Sequence, residues 1–234
     1  MFIDFHTHIL PGIDDGSASI EESIELLKRE AEQGITHVVA TPHFYAQHDT
    51  PENFLERRNK AFIELSEEMK KYSGLPEISL GAEVYYFCGI ADSEALDLLT
   101  FNGKRFILIE MPMAEWTESM YQEIEAIYNR RGITPIMAHM DRYISPFATH
   151  KIPEKLAKMP VLVQANASFF QRGGLTSKLA FKLLKADKIQ LLGSDCHNLT
   201  SRVPNLGVTI EAIERKFGKE IIDRINKYGE TVLY

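Results

Sequence analysis

The chain has 234 residues, of which 44% are hydrophobic and 25% charged, with a formal net charge of -7. These values fit one large α/β domain spanning 1–234 and argue against a general nucleic-acid footprint. Two cysteines make no disulfide framework, and with no basic leader before Phe2 and no membrane-length apolar run the expectation is a cytoplasmic protein without direct membrane insertion.

Taken in order, residues 3–5 begin an apolar strand that stops on His6-Thr7-His8. A period of two puts both imidazoles on one side. Asp14-Asp15-Gly16 then supplies hard oxygen donors. Ser19-Ile20-Glu21-Glu22 has the form of a capping box for a helix with Ile20, Ile24, Leu27 and Ala31 on its inner face, ended by Gly34. A strand over 35–41 runs into Pro42-His43, and Pro51 opens a second helix that Gly74-Leu75-Pro76 stops. A third strand over 78–85 contains Glu83, a short helix covers 92–99, and a fourth strand over 105–111 contains Glu110. A helix over 117–131 is closed by Gly132, and strands follow at 134–139, 161–165 and 189–194. The last strand runs into Asp195-Cys196-His197, and helices are expected at 177–186, 208–217 and 219–228. Alternating strands and helices imply βαβ units and a parallel sheet. Seven units favour a closed or nearly closed barrel over an open doubly wound sheet.

In a barrel the C-terminal strand ends share one rim, where active sites are built. Near those ends stand His6, His8, His43, Glu83, Glu110, His139, Asp195 and His197, so five of the eight histidines gather there. His37 inside a strand, and His48 and His150 in loops, are read as structural or solvent-exposed. Each site residue has a plainer reading alone; a glutamate in an apolar strand can pair with arginine. Two buried glutamates among five histidines, however, are hard to satisfy without cations, since an unpaired buried carboxyl protonates instead. The donors outnumber the needs of one ion, so two or three are implied.

These residues resemble the motifs of the polymerase and histidinol phosphatase (PHP) superfamily. Longer stretches narrow the resemblance: residues 6–16 (His-Thr-His-Ile-Leu-Pro-Gly-Ile-Asp-Asp-Gly), Glu83-Val84-Tyr85-Tyr86, residues 138–143 (Ala-His-Met-Asp-Arg-Tyr) and Ser194-Asp195-Cys196-His197-Asn198 are similar to the metal-dependent protein-tyrosine phosphatases of bacterial capsule and exopolysaccharide loci. Asp141, where a Glu is usual, and Cys196, at a position often held by Met, depart from the pattern. The resemblance implies a distorted, TIM-like (β/α)7 barrel of PHP fold with a trinuclear centre. It places His6, His8, Glu83 and Asp195 on one ion, with Glu83 bridging to a second shared with Glu110 and His139. Asp15, His43 and His197 take the third; Asp15 has a second reading, as an acid behind the ligands. Mn is the first choice, with Fe, Zn or Mg as alternatives.

Phosphate-monoester hydrolysis is among the slowest reactions in water, and clustered divalent ions supply a hydroxide at neutral pH and a clamp for the phosphoryl oxygens. Such cations also let an acidic protein take an anionic substrate. Arg142 follows His139 by three residues and Arg202 follows His197 by five; a guanidinium fork matches phosphate, and by the resemblance both are phosphate holders. A phenol, with a pKa of about 10, leaves with less protonation than an alkyl alkoxide, which favours phosphotyrosine. Phe44, Tyr45, Tyr85, Tyr86, Trp116, Phe169 and Phe170 follow strand ends and could flank the ring.

The expected substrate is a phosphotyrosine protein, by resemblance the cytoplasmic tail of a bacterial tyrosine autokinase controlling capsule or exopolysaccharide synthesis. Nothing in the pattern selects an oligomeric state. Rivals within the superfamily are a histidinol-phosphate phosphatase or other small phosphomonoesterase, and an exonuclease, which the acidity disfavours. A metal-bearing kinase regulator is the non-enzymatic rival. Cys196 and Arg202 also match the C-x5-R spacing of thiol-dependent tyrosine phosphatases, but the intervening residues lack the glycines of a phosphate cradle.

Overall fold

The computed structural model describes residues 2–144 and 151–234; His150 lies outside them. Its strands are β1 (Ile3–Thr7), β2 (His37–Ala40), β3 (His43–Phe44), β4 (Glu77–Leu80), β5 (Glu83–Tyr85), β6 (Phe106–Glu110), β7 (Thr134–Met137), β8 (Leu162–Asn166) and β9 (Leu191–Gly193). Every pairing between them is parallel, in the orders β1-β2-β4 and β3-β5-β6-β7-β8-β9. The result is an α/β fold with a curled parallel sheet. The expected second and third strands each break in two. Pro42, with no N–H to give the ladder, separates β2 from β3, and Gly81-Ala82 separates β4 from β5. The two lines stay bonded across the break, Gly81 N donating to Ala40 O (2.9 Å) and Glu83 N to Pro42 O (3.0 Å). Past β9 the chain returns to β1: Asp195 N donates to His6 O (2.8 Å) and His8 N to Cys196 O (2.9 Å).

The helices that cover the sheet are α1 (Ile20–Glu32), α2 (Pro51–Met69), α3 (Ala95–Leu98), α4 (Glu118–Arg131), α5 (Lys151–Leu156), α6 (Ala167–Gln171), α7 (Gly174–Lys185), α8 (Leu206–Phe217) and α9 (Lys219–Leu233). Ser19 caps α1 as expected, while Glu22 reaches one residue further back, accepting from Ala18 N at 2.9 Å. The expected helix over 92–99 is shorter, because extended Ser93 separates a single turn at Ile90–Asp92 from α3. Helices α5 and α6 were not legible as periodic segments. The last helix runs past Tyr228 because Val232 and Leu233 are buried beside Ile3 and Phe5.

The core has two parts. Leu26, Leu27, Leu65, Ile124, Ile127 and Leu184 belong to the larger one, between sheet and helices. The smaller one gathers Ile3, Phe5, Val39, Leu108, Ile136 and Leu191 from five different strands. It forms an apolar floor on which the polar strand ends stand. On β6 plain alternation suffices, Leu108 facing the floor and Glu110 the site. On β1 it does not, since Phe5 and His6 are neighbours. Between Asp4 and Thr7, β1 has one residue more than β2 has between Val38 and Ala40. That bulge re-aims His6 and His8.

Candidate metal centre

Glu83 opens β5 directly after the break and is 1% exposed. Its Oε2 lies 3.1 Å from His6 Nε2, 3.3 Å from His8 Nε2 and 3.0 Å from His43 Nδ1. Its Oε1 is 2.8 Å from His139 Nε2, which is also 3.3 Å from Glu110 Oε1. His6 Nε2 and His8 Nε2 face each other at 3.1 Å. Asp195 Oδ1 stands 3.5 Å from His6 Nε2 and 3.6 Å from His8 Nε2. Asp15 Oδ1 is 3.4 Å from both His43 Nε2 and His197 Nε2.

All nine residues expected to bind metal thus converge. Their donor atoms fall into sets lying within 4.8 Å of one another: His6, His8 and Asp195; His43, Glu83 and Glu110; and His8, Asp15, His43 and His197. Relative to the expected partition, His8 also joins the Asp15 set, and His43 groups with Glu83 and Glu110. His139 stays within reach of both glutamates. Glu83 Oε2, His43 Nδ1 and His197 Nε2 are buried without a hydrogen-bond partner. Buried polar atoms left unpaired cost about 1–3 kcal/mol each, and these point into a set of N and O donors that suits divalent ions. The residues therefore fit the metal that the sequence pattern implies.

Two of the converging residues have left-handed backbone, His139 at φ 30° and Asp195 at φ 57°. Such conformations cost about 1–3 kcal/mol each and persist where surroundings over-determine them. His139 N donates to Gln164 Oε1 at 2.6 Å, and Asp195 N is bonded into β1. Gly193 permits the second arrangement: a Cβ there would lie 2.6 Å from His6 Cβ and 2.8 Å from Gln164 Nε2.

Sequence reasoning missed the supporting roles of three residues. Asp14, beside Asp15, accepts from His8 Nδ1 at 2.7 Å and from His43 N at 3.0 Å, which orients one imidazole and fixes the backbone of another. Gln164, beneath His139, is also 3.3 Å from His6 Nδ1. Asn166 Nδ2 donates to Asp195 Oδ2 at 2.9 Å. The signal for Gln164 was there, an amide buried in an otherwise apolar strand; its partners were not.

Both expected phosphate holders meet Asp195. Arg142 Nη2 pairs with Asp195 Oδ2, and Arg202 Nη2 donates to Asp195 Oδ1 at 2.7 Å. Arg142 also approaches Glu110 (3.6 Å), and Arg202 approaches Asp15 (3.6 Å). Burial would lower the His8 imidazole, but the Asp14 and Glu83 carboxylates override it and raise its pKa to about 10. Burial opposes the charge on His139 too, and Glu110 with Glu83 lifts it to about 9. His197 goes the other way, to about 3, through burial and the charge of His8. Burial would raise the Glu83 carboxyl, yet the charge of His6 and the hydrogen bond from His139 hold it well below the usual range.

The expected ring-flanking aromatics divide. Phe44, Trp116, Phe169 and Phe170 are buried in the core. Tyr86 donates to Glu123 at 2.9 Å. Tyr45 and Tyr85 remain at the rim, ring centroids 5.6 Å apart, and Tyr45 lines an open pocket of about 370 Å³ with Asp15 and His43. His37 lies away from the site, its Nε2 at 2.7 Å from the Ser79 hydroxyl, and His48 is exposed. Cys196 is fully buried with Sγ 3.8 Å from Glu30 Oε1, and burial with the nearby Glu30 and Asp4 pushes its thiol well up. It lacks the depressed pKa of a thiolate nucleophile.

No helix among the described residues is long and apolar enough to cross a membrane. Comparison with known proteins agrees with the motif resemblance. Tyrosine-protein phosphatase CpsB of Streptococcus pneumoniae is 32% identical over 225 residues, covering 92% of this chain and 91% of that protein. Tyrosine-protein phosphatase YwqE of Bacillus subtilis is 26% identical over 244 residues, covering 99% and 91%. The fold matches a chain from the crystal structures of YwqE and CpsB, described as metal-dependent tyrosine phosphatases, with a TM-score of 0.86 at 24% identity, over 99% of this chain and 94% of that one. The profile of the family described as "Capsular polysaccharide synthesis, CpsB/CapC" matches residues 2–232, and the chain belongs to that family.

Proposed function

We propose that this chain is a metal-dependent protein-tyrosine phosphatase, built as one domain over 1–234 on the distorted (β/α)7 barrel of the PHP superfamily. The observation that carries the reading is the convergence of imidazoles and carboxylates on Glu83, with Arg142 and Arg202 at its edge. The names of the relatives supply the activity. The bonds from Asp195 and Cys196 back to β1 support the barrel.

His6, His8, Asp15, His43, Glu83, Glu110, His139, Asp195 and His197 would hold two or three divalent ions, with Mn the first choice. Bound there, such ions would acidify a water and offset charge on the phosphoryl oxygens. Arg142 and Arg202, drawn to Asp195 here, would turn their remaining N–H groups to phosphoryl oxygens as charge-assisted forks. Asp14 holds His8 with its proton on Nδ1, leaving Nε2 to face the cluster. Asp15, with 64% of its side chain exposed, stands between His43, His197 and Arg202, where it serves as ligand or hands a proton to the leaving phenol. Tyr45 and Tyr85 would border the ring. The substrate is a phosphotyrosine protein, and the family suits the cytoplasmic tail of a bacterial tyrosine autokinase in capsule or exopolysaccharide synthesis.

The test is turnover of a phosphotyrosine peptide against histidinol phosphate. Metal-stripped protein should hydrolyse neither, and restored Mn should return activity on the peptide. Efficient hydrolysis of histidinol phosphate with none of the peptide would install the small-molecule reading.

The arginines can be separated from the ligands. Arg142→Ala and Arg202→Ala should keep their metal and lose about ten- to a hundredfold in kcat/KM for an aryl phosphate, since one charge-assisted contact is worth about 1.5–3 kcal/mol. Unchanged kinetics in both would return them to surface charge.

Acid–base state supplies another check. With pKa values raised to about 10 and about 9, His8 and His139 are protonated at pH 7 in the metal-free protein, whereas a ligand imidazole has shed its proton from the donor nitrogen. Adding Mn at pH 7 should therefore release about two protons, and affinity should rise as pH climbs toward 9. Calorimetry in buffers of different protonation enthalpy measures this; a heat independent of buffer would contradict it.

A further inference from the structure

Asp195 also borders a second pocket, of about 250 Å³, whose lining includes Arg142, Arg172, Arg202, Asn166, Ser201 and Asn205. Arg142 and Arg202 already have work at the phosphoryl group. Arg172 does not. It ends α6, and its Nη2 donates to Asp141 Oδ2 at 3.1 Å. Asp141 has a fully buried side chain, and its Oδ1 accepts from Asn166 N at 3.1 Å, so the arginine is tethered to the backbone of β8. Half of the Arg172 side chain, 50%, stays open to solvent. A guanidinium has five N–H donors, and among the described residues Asp141 is the one side chain that Arg172 bonds.

The pocket therefore holds three guanidiniums; Asp195, Glu110 and Asp15 already draw on Arg142 and Arg202, whereas among the described residues Arg172 meets the carboxylate of Asp141 alone. Asn205 Oδ1 is buried without a hydrogen-bond partner, and an amide oxygen of that kind accepts from a peptide N–H. A cationic fork beside an unpartnered acceptor suits an acidic peptide better than a small phosphate ester. Neighbouring α-carbons lie ~3.8 Å apart, so an acid one or two positions from the phosphotyrosine can span a pocket of this size. We propose that this pocket is a recognition subsite for an Asp or Glu flanking the phosphotyrosine of a protein substrate, with Arg172 as its specificity-determining cation. The inference rests on the phosphotyrosine reading above.

The experiment compares kcat/KM for two phosphotyrosine peptides, one flanked by Glu and one by Gln, using metal-loaded wild type, Arg172→Gln and Arg172→Lys. Wild type should favour the Glu peptide about tenfold, mainly through KM, the worth of one charge-assisted contact. Arg172→Gln should bring that ratio close to one, and Arg172→Lys, which keeps the charge without the fork, should retain part of it. Rising salt should shrink the wild-type preference. A wild-type ratio near one would overturn the proposal. So would an equal loss on both peptides in Arg172→Gln, which would make the residue a structural partner of Asp141. Turnover of neither peptide, with histidinol phosphate consumed, would instead strike the phosphotyrosine reading and this inference with it.

Discussion

A carboxylate removed from water needs positive charge around it, and Glu83 has imidazole nitrogens from four histidines within 3.3 Å of its two oxygens. Breaking such a buried set by removing one partner typically costs about 3–5 kcal/mol. The rest of the structure can be understood as what brings these groups together. His6 and His8 arrive through a bulge in β1, His43 and Glu83 through breaks beside Pro42 and Gly81, and His139 and Asp195 through left-handed residues. Regular strands would have sent several of these side chains elsewhere. Below them the apolar floor of Phe5, Val39, Leu108 and Ile136 excludes water and keeps the donors in a low-dielectric setting, where their mutual attraction is strong.

The charges in this cluster do not balance evenly, and the imbalance is informative. His8 and His139 are raised by carboxylates, while His197 is driven down by burial and by His8. Groups whose environments push their acidities apart mark functional sites more often than structural ones. Two guanidiniums on Asp195 add charge of a fixed geometry at the edge of the cluster. In the thiol alternative the same neighbourhood would have to activate Cys196. Its sulfur instead faces Glu30, in surroundings that stabilise the neutral thiol.

Much of this was legible in the sequence, for identifiable reasons. Strand and helix alternation came from periodicity and punctuation; α1 carries the cap expected of Ser19, α2 opens at Pro51 and α4 closes at Gly132 as the sequence suggests. The donors could be found because histidines and glutamates at the ends of apolar strands are costly without a purpose. What stayed hidden depends on long-range contact. The role of Asp14 requires His8 and His43 N to meet it; that of Gln164 requires β7 and β1 to flank β8 and β9 in space. The split of the second and third strands was hinted at by Pro42, yet the matching break at Gly81 follows from its pairing with Ala40. Left-handed His139 and Asp195 are held by bonds to Gln164 and β1, distant in sequence, and could not be read locally. The aromatics show the same limit, since sequence position placed Phe44 and Tyr45 alike while the fold buries one and leaves the other at the rim.

If Glu83 is the shared carboxylate of a multinuclear centre, replacing it with its uncharged isostere should dismantle the centre without removing side-chain volume. The most direct measurement is the metal content and phosphotyrosine-peptide turnover of purified Glu83→Gln protein beside wild type, with folding verified by circular dichroism. The structure predicts a folded protein that binds less metal and has lost turnover on the order of a hundredfold or more, since even a supporting contact to a ligand is worth about ten- to a hundredfold. A Glu83→Gln protein with full metal and full turnover would contradict the account.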